Sequence, residues 1–498
     1  MDEIREKRVP LVIGLDLGTT NCKAVAVTPS GQECAQSTAS YSLHSPNPGW
    51  AVQETEDIWQ GVVQVLDDLE SQVQDEHIAG LCLSGAMHSL LLVNEAGEPL
   101  APAMTWADQR ADSQALNLRR HVDTQALYQR TGCPLQPLFH LPKIRWWHDE
   151  EPKLIQHAAL FVAIKDWVLF NLTGQWITDF GVASASGLLN IHDFVWDEEA
   201  LSLAAITPDR LPELISPISI IGKVAPHDAP FYGVPVIAGS GDGGLANLGT
   251  GAYLPGQCTI SVGTSGAVRI IVAKPWLDPL ERTWCYALME GSWYAGGAIN
   301  NAGLALQWVR ERFYPDLTSA QGYRQIFEDS SAICSGAEGL LFMPYFTGER
   351  NPHWNPSARA LLYGLGLEHT RAHIARAVLE GIAFCLADVW DVLPHTERKE
   401  EPVRLTGGMA RSPLFCQILA NVLNTSLVMA DVQEASALGA AMLGHHALGN
   451  SSLEQMAENV LLGIVIEPDP QQHARYAELH RDFKKMNDLI SQELISPL

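Results

Sequence analysis

Two carboxylates stand where chemistry could use them. Asp16 ends the apolar run Val12-Ile13-Gly14-Leu15 and is followed, after Leu17, by the turn Gly18-Thr19-Thr20. A carboxylate at a strand end can hold a magnesium ion through water, beside phosphates gripped by the turn. A plain turn-forming Asp is the alternative. Asp242 lies in Gly239-Ser240-Gly241-Asp242-Gly243-Gly244, after the apolar run Val234-Pro235-Val236-Ile237-Ala238. Glycines keep such a carboxylate open to a ligand and a strand end holds it rigidly, which suits a general base taking a proton from a hydroxyl. The same segment matches G-x-G-x-x-G, but a dinucleotide site needs an acid about 20 positions on. That region reads Thr259-Ile260-Ser261-Val262-Gly263-Thr264, with no acid.

The hydroxyl-bearing turn recurs about half the chain later. Cys258-Thr259-Ile260-Ser261-Val262 leads into Gly263-Thr264-Ser265, then Gly266-Ala267-Val268-Arg269-Ile270-Ile271-Val272. Apolar, β-branched flanks around each turn read as hairpins. Facing turns of this kind can grip a polyphosphate through backbone N–H groups and hydroxyls, whereas either one alone reads first as an ordinary hairpin. Gly407-Gly408 follows the strand Val403-Arg404-Leu405-Thr406 and precedes a helix start at Ser412-Pro413. The glycine pair offers a flat platform for an adenine ring, or simply a strand-loop-helix corner. No G-x-x-x-x-G-K-[ST] occurs, so a Walker-type phosphate loop is excluded.

A polar cluster in the first half joins Met87-His88 to Trp106-Ala107-Asp108-Gln109-Arg110. An aromatic ring, a carboxylate and a guanidinium suit a polyhydroxylated ligand, with Arg110 as partner for an anionic group; a surface ion pair beside a half-buried Trp is the plain reading. His369 and His373 are spaced i, i+4 but lack the glutamate of H-E-x-x-H, and read as exposed helix residues. Glu349-Arg350 reads as a structural ion pair first and a site contact second.

The elements around these residues alternate β and α, which indicates an α/β fold. Thr55 to Val73 reads as a helix with Ile58, Val62, Leu66, Leu69 and Val73 on one face and Glu56 and Asp57 in its first turn. Further helices are expected over Ile374–Leu393, from Ser412-Pro413 toward Asn424, and over Ala435–Leu448. Seven glycines in positions 239–256 mark a boundary near residue 252, giving domains 1–252 and 253–498 that each carry one turn. A duplication is the simplest origin.

Composition narrows the function. The net charge is −25, from 32 basic and 57 acidic residues, which argues against nucleic-acid binding and obliges any anionic ligand to find local cations or a metal. Nine scattered cysteines with no C-x-x-C pair suggest neither zinc nor disulfides and fit a reducing cytosol. The charged N-terminus, residues 1–8, is not a signal peptide, and no run is long and apolar enough to span a bilayer. A cytoplasmic protein with no membrane partner is expected; a homodimer is allowed, although the sequence does not fix the oligomeric state.

Taken in order, the motifs resemble the FGGY carbohydrate kinases of the actin-like ATPase superfamily along nearly the whole chain. The markers are Gly14-Leu15-Asp16-Leu17-Gly18-Thr19-Thr20, Met87-His88, Trp106-Ala107-Asp108-Gln109-Arg110, Leu141-Pro142-Lys143-Ile144-Arg145-Trp146, Asp179-Phe180-Gly181-Val182-Ala183-Ser184, Gly241-Asp242, Ser261-Val262-Gly263-Thr264-Ser265, Pro344-Tyr345 with Gly348-Glu349-Arg350, and Thr406-Gly407-Gly408. Ser89, Ser186-Gly187-Leu188-Leu189-Asn190-Ile191-His192 with Trp196-Asp197, Gly297-Ala298-Ile299-Asn300-Asn301 and Trp354 are similar to the gluconokinase branch. The resemblance implies two actin-like (ribonuclease H-like) ATPase domains with an interdomain cleft that closes over the substrates. It implies ATP and Mg2+ as cofactors and gluconate as acceptor. By the same resemblance Asp242 is the base and Asp16 positions the metal. Gly18, Thr19, Thr20, Gly263 and Thr264 line the phosphates, and Gly407 and Gly408 meet the adenosine. Met87, His88, Trp106, Asp108 and Arg110 contact the substrate. A xylulokinase or other polyol kinase, a non-catalytic sugar-binding protein and an actin-like structural ATPase are the alternatives, in that order.

Overall fold

The computed structural model describes residues 9–227 and 229–493; the charged segment 1–8 lies outside them. By internal contacts the chain forms two units. The first comprises residues up to Leu254 together with Ile271–Tyr294 and Glu434–Val460; the second comprises Pro255–Ile270, Ala295–Gln433 and the chain from Leu461 on.

The first unit is built on a six-stranded sheet of β1 (Pro10–Leu17), β2 (Asn21–Val27), β3 (Glu33–Ser40), β4 (His77–Gly85), β5 (Ile220–Lys223) and β6 (Pro235–Gly241), in the order β5-β6-β4-β1-β2-β3. β1 and β2 form the expected antiparallel hairpin, while β1, β4 and β6 run parallel. Buried on both faces, β1 reads as the near-continuous apolar run that a covered parallel strand requires. The helix Thr55–Gln72 lies along β2 and β3, with Ile58, Val62, Leu66 and Leu69 in the core. The helix Ala435–Ala447 packs on β1 and β4. Its approach is backbone to backbone: a Cβ on Gly14 would lie 1.9 Å from Ala437 O, and one on Gly249 would lie 1.9 Å from Ala435 O.

The second sheet has seven strands, six of which repeat the plan: β7 (Cys258–Val262), β8 (Gly266–Val272), β9 (Ser292–Ile299), β10 (Val403–Thr406), β11 (Leu427–Ala430) and β12 (Leu462–Ile466), in the order β12-β11-β10-β7-β8-β9. Again a hairpin, β7-β8, lies beside two parallel strands, β10 and β11, with an antiparallel strand beyond them. The helix Arg371–Asp391 is buried along almost its whole length and packs against Pro413–Leu423, which Ser412 caps by accepting from Phe415 N. His373 is not the exposed residue expected. It is 7% exposed, and its Nδ1 accepts from Thr370 N at the helix start. The helix begins at Arg371, three residues earlier than its apolar stripe, so His373 falls in the first turn, where a side-chain acceptor is needed.

Candidate functional site

Three parallel strands of the first unit bring their carboxyl ends level, the usual ligand-binding edge of an open α/β sheet. Asp16 on β1 is in register with Ser84 on β4, and Ser84 with Ser240 on β6. Two residues beyond Ser240, Asp242 opens the helix Asp242–Gly249. The two carboxylates singled out in the sequence therefore face one edge of one sheet.

Their electrostatics are coupled. Ser84 Oγ donates to Asp16 Oδ1 at 2.6 Å. Burial, then the charge of Asp242, push the Asp16 carboxyl up to about 7, against the opposing pull of Ser84 and Lys23. Lys23 is paired with Glu434. Asp242 is half-buried, and its Oδ1 accepts from Gly243 N at 2.7 Å in the first turn of its helix, where the dipole favours negative charge. Two such carboxylates repel unless a cation lies beside them, and their hard oxygens suit Mg2+. Among the described residues no group of three or more His, Cys, Asp or Glu forms a metal cage. A magnesium ion here would therefore keep water or substrate oxygens in its shell, as it does at phosphate sites.

The turn after β1 is tightly held. Gly18 N donates to Asn21 O, Tyr41 OH donates to Gly18 O, and Gln53 Nε2 donates to Thr19 O. Trp106 Nε1 donates to Thr19 Oγ1 at 3.0 Å, which ties the polar cluster to this turn; Thr20 is exposed.

Met87 and His88 follow β4 after Ala86. A Cβ on Gly241 would come within 2.9 Å of Met87 Cγ, so Met87 packs beside the residue that precedes Asp242, and Tyr294 OH donates to its sulfur. His88 has φ +67, a conformation non-glycine residues seldom adopt. Its Nδ1 lies 2.8 Å from Ala185 O, so that nitrogen carries the proton. Phe139 and Tyr286 meet the ring edge-on.

Asp108 and Arg110 form the ion pair that the sequence allowed, but inside the protein and not at its surface. Asp108 is 1% exposed and accepts from Ala51 N, Arg110 N, Arg110 Nε and Arg110 Nη2, which fills its lone pairs. The Arg110 guanidinium forms the other half of this bidentate pair and lies 3.5 Å over the Trp50 ring. Two residues apart in a tight turn, the two side chains reach each other before anything else. Arg110 is thus already paired inside the protein.

Two buried lysines also matter: Lys143, named in the sequence only as part of a motif and given no role, and Lys165, which sequence reasoning passed over. Lys143 is fully buried, and its Nζ donates to His88 O and Thr105 O, both at 2.7 Å, joining the two stretches of the polar cluster. Burial pulls its ammonium down to about 7, although Asp108 works the other way. Lys165 pairs with Asp179. A lysine inside an apolar helical stretch was the available signal for both.

In the second unit the β7-β8 turn is exposed at Gly263 and Thr264 and leans on the start of the helix Gly303–Phe313, with Gly303 N donating to Gly263 O and Leu304 N to Thr264 O. Gly407 has φ +94, and a Cβ there would lie 2.5 Å from Val262 O, so this corner seats against the end of β7. Gly408 is exposed and has open space where a Cβ would be. Glu349 is buried, and burial and then Asp388 hold its carboxyl well above the ordinary range.

Comparisons with known proteins identify the family and the fold. Residues 11–249 match the N-terminal domain of the FGGY family of carbohydrate kinases, and residues 258–448 match its C-terminal domain. The chain is 34% identical to a gluconokinase of Bacillus licheniformis over 96% of its length and 94% of that protein. The crystal structure of gluconate kinase from Lactobacillus acidophilus superposes with a TM-score of 0.91 at 29% identity, covering 97% of this chain and 99% of that one. A ligand-bound xylulose kinase from the same organism gives the same TM-score and coverage at 30% identity. The chain belongs to the FGGY family of carbohydrate kinases.

Proposed function

We propose that this kinase transfers the γ-phosphoryl group of ATP to the terminal hydroxyl of D-gluconate, giving 6-phospho-D-gluconate. The observation that carries the chemistry is Asp242, a half-buried carboxylate at the carboxyl end of β6, beside Met87 and electrostatically coupled to Asp16. The acceptor hydroxyl gives its proton to Asp242 as its oxygen bonds to the γ-phosphorus, and the bond from that phosphorus to the bridging oxygen breaks, leaving ADP. Positioning and electrostatics supply most of the rate in such transfers. Asp16 would hold Mg2+, which when bound neutralises charge on the transferring phosphate. Gly18, Thr19, Thr20, Gly263 and Thr264 are assigned to the phosphates and Gly407 with Gly408 to the adenosine, with the functional halves taken as 1–252 and 253–498. Met87, His88, Trp106, Asp108 and Arg110 are assigned to the acceptor, with the Asp108–Arg110 pair also holding the shape of the loop that carries Trp106.

Gluconate as acceptor is supported by the gluconokinase relatives and by the gluconate kinase structure. A xylulose acceptor is the second reading, favoured by the equal structural likeness to a xylulose kinase. A panel of gluconate, xylulose, glycerol and related polyols, assayed by ADP release with Mg-ATP, separates them. Gluconate should give the highest kcat/KM; a higher value for xylulose would reverse the assignment.

A further inference from the structure

We propose that Lys165 and Asp179 are a positioning pair for Asp242, holding the strand end that carries it from the side away from the ligand. The inference rests on the reading of Asp242 as the base. Both side chains are buried, at 1% and 0% exposure, and their ionic groups lie 2.7 Å apart. Lys165 Nζ also donates to Ala238 O at 2.7 Å, the last carbonyl before Gly239-Ser240-Gly241-Asp242. Asp179 Oδ1 accepts from Gly181 N and Val182 N and so caps the short helix Phe180–Ser184. A Cβ on Gly181 would lie 1.9 Å from Ser240 Oγ, so this helix start abuts the same strand end. On the other side, a Cβ on Gly239, at φ +72, would lie 1.6 Å from Leu83 O. The Lys165 stem fills the space over Gly85, where a Cβ would come within 2.8 Å of it. The segment from Ala238 to Gly241 is thus fixed by an ammonium at its carbonyl, by a capped helix start and by the neighbouring strand. Neither Lys165 nor Asp179 is exposed enough to meet a substrate.

A buried ion pair is the arrangement least tolerant of losing one partner and most tolerant of losing both charges together. The informative variant is therefore the double substitution Lys165→Met with Asp179→Asn. Asn keeps an acceptor for Gly181 N and Val182 N, and Met keeps the stem over Gly85. With Mg-ATP and the best acceptor of the panel, the double variant should keep both KM values within about threefold and lose about tenfold to a hundredfold in kcat, the scale of a misplaced catalytic group. In an Asp242→Asn background the same double substitution should cost little more, because groups that act through one residue are not additive. A double variant with wild-type kcat, or an equal further loss when Asp242 is already Asn, would overturn the proposal. Near-normal turnover of Asp242→Asn alone overturns the reading of Asp242 instead. Should the double variant not fold, Asp179→Glu, which keeps both charges and lengthens one arm by a methylene, reads the same kcat-against-KM split.

Discussion

Asp16 and Asp242 can be tested separately because they do different things to a proton. Asn at 242 keeps an oxygen for Gly243 N and fits the same helix start, so Asp242→Asn should fold normally and bind ATP. Turnover should fall by about a hundredfold to ten-thousandfold, the usual range for a lost general base. Steady-state kinetics beside an ATP-binding isotherm checks this, and near-normal kcat removes Asp242 from the mechanism. Asp16 makes a pH prediction. Its carboxyl titrates near 7 in the folded chain, against about 3.9 in an unfolded one, because burial and Asp242 disfavour the charge. The folded state therefore holds a proton that the unfolded state has already lost. Asp16 contributes stability below about pH 4, and that contribution disappears as pH rises through about 7. Without ligands, melting temperature should decline from pH 5 to 8, and Asp16→Asn should flatten the decline. A wild-type curve rising over that interval, with no difference in the variant, would contradict the origin assigned here.

At the scale of elements, legibility followed locality. Hairpins, turns and the helix over Thr55–Gln72 were legible because each is specified by contiguous residues and one period. The two carboxylates were legible because a strand end followed by glycines is a local pattern. Lys143 and Lys165 were not, since they bond backbone carbonyls 38 to 73 positions away, which have no signature in sequence, and the carboxylate that pairs with Lys165, Asp179, lies beyond the end of its helix. The Asp108–Arg110 pair was legible as a pair, because its members are two residues apart, but its burial was not, because the Trp50 ring over Arg110 comes from a distant segment. The glycine pair offers a prediction of its own. Gly407 cannot change without striking Val262, but Gly408 has open space. Gly408→Leu should leave the melting temperature within a degree or two, since exposed substitutions usually stay within about 0.5 kcal/mol. If the adenine lies on this corner, the KM for ATP should rise about tenfold or more, as expected where a side chain blocks a preformed contact. An unchanged ATP KM would move the adenosine elsewhere.

For the whole molecule, the two sheets share an order that the sequence only hinted at through its twin turns: a hairpin, two parallel strands beside it, and an antiparallel strand beyond them. The pattern supports a duplication more strongly than the turns alone. The halves are not cut cleanly, since Glu434–Val460 returns to the first unit, where the helix Ala435–Ala447 covers β1 and β4. No local signal in a sequence announces such a return. The net charge of −25 then sets a condition on both proposed ligands, each an anion. A chain this acidic repels them at long range, and that repulsion weakens as the Debye length falls from about 30 Å at 0.01 M salt to about 8 Å at 0.15 M. The carboxylates at the sheet edge add to it, and Arg110, the cation expected to offset it, is neutralised by Asp108. With free Mg2+ held constant, raising KCl across this range should lower the KM for gluconate by about twofold or more, and should leave a neutral acceptor such as xylulose unaffected. A gluconate KM that climbs with salt would mean that a local cationic field, stronger than any described around Asp16 and Asp242, dominates capture of the sugar acid.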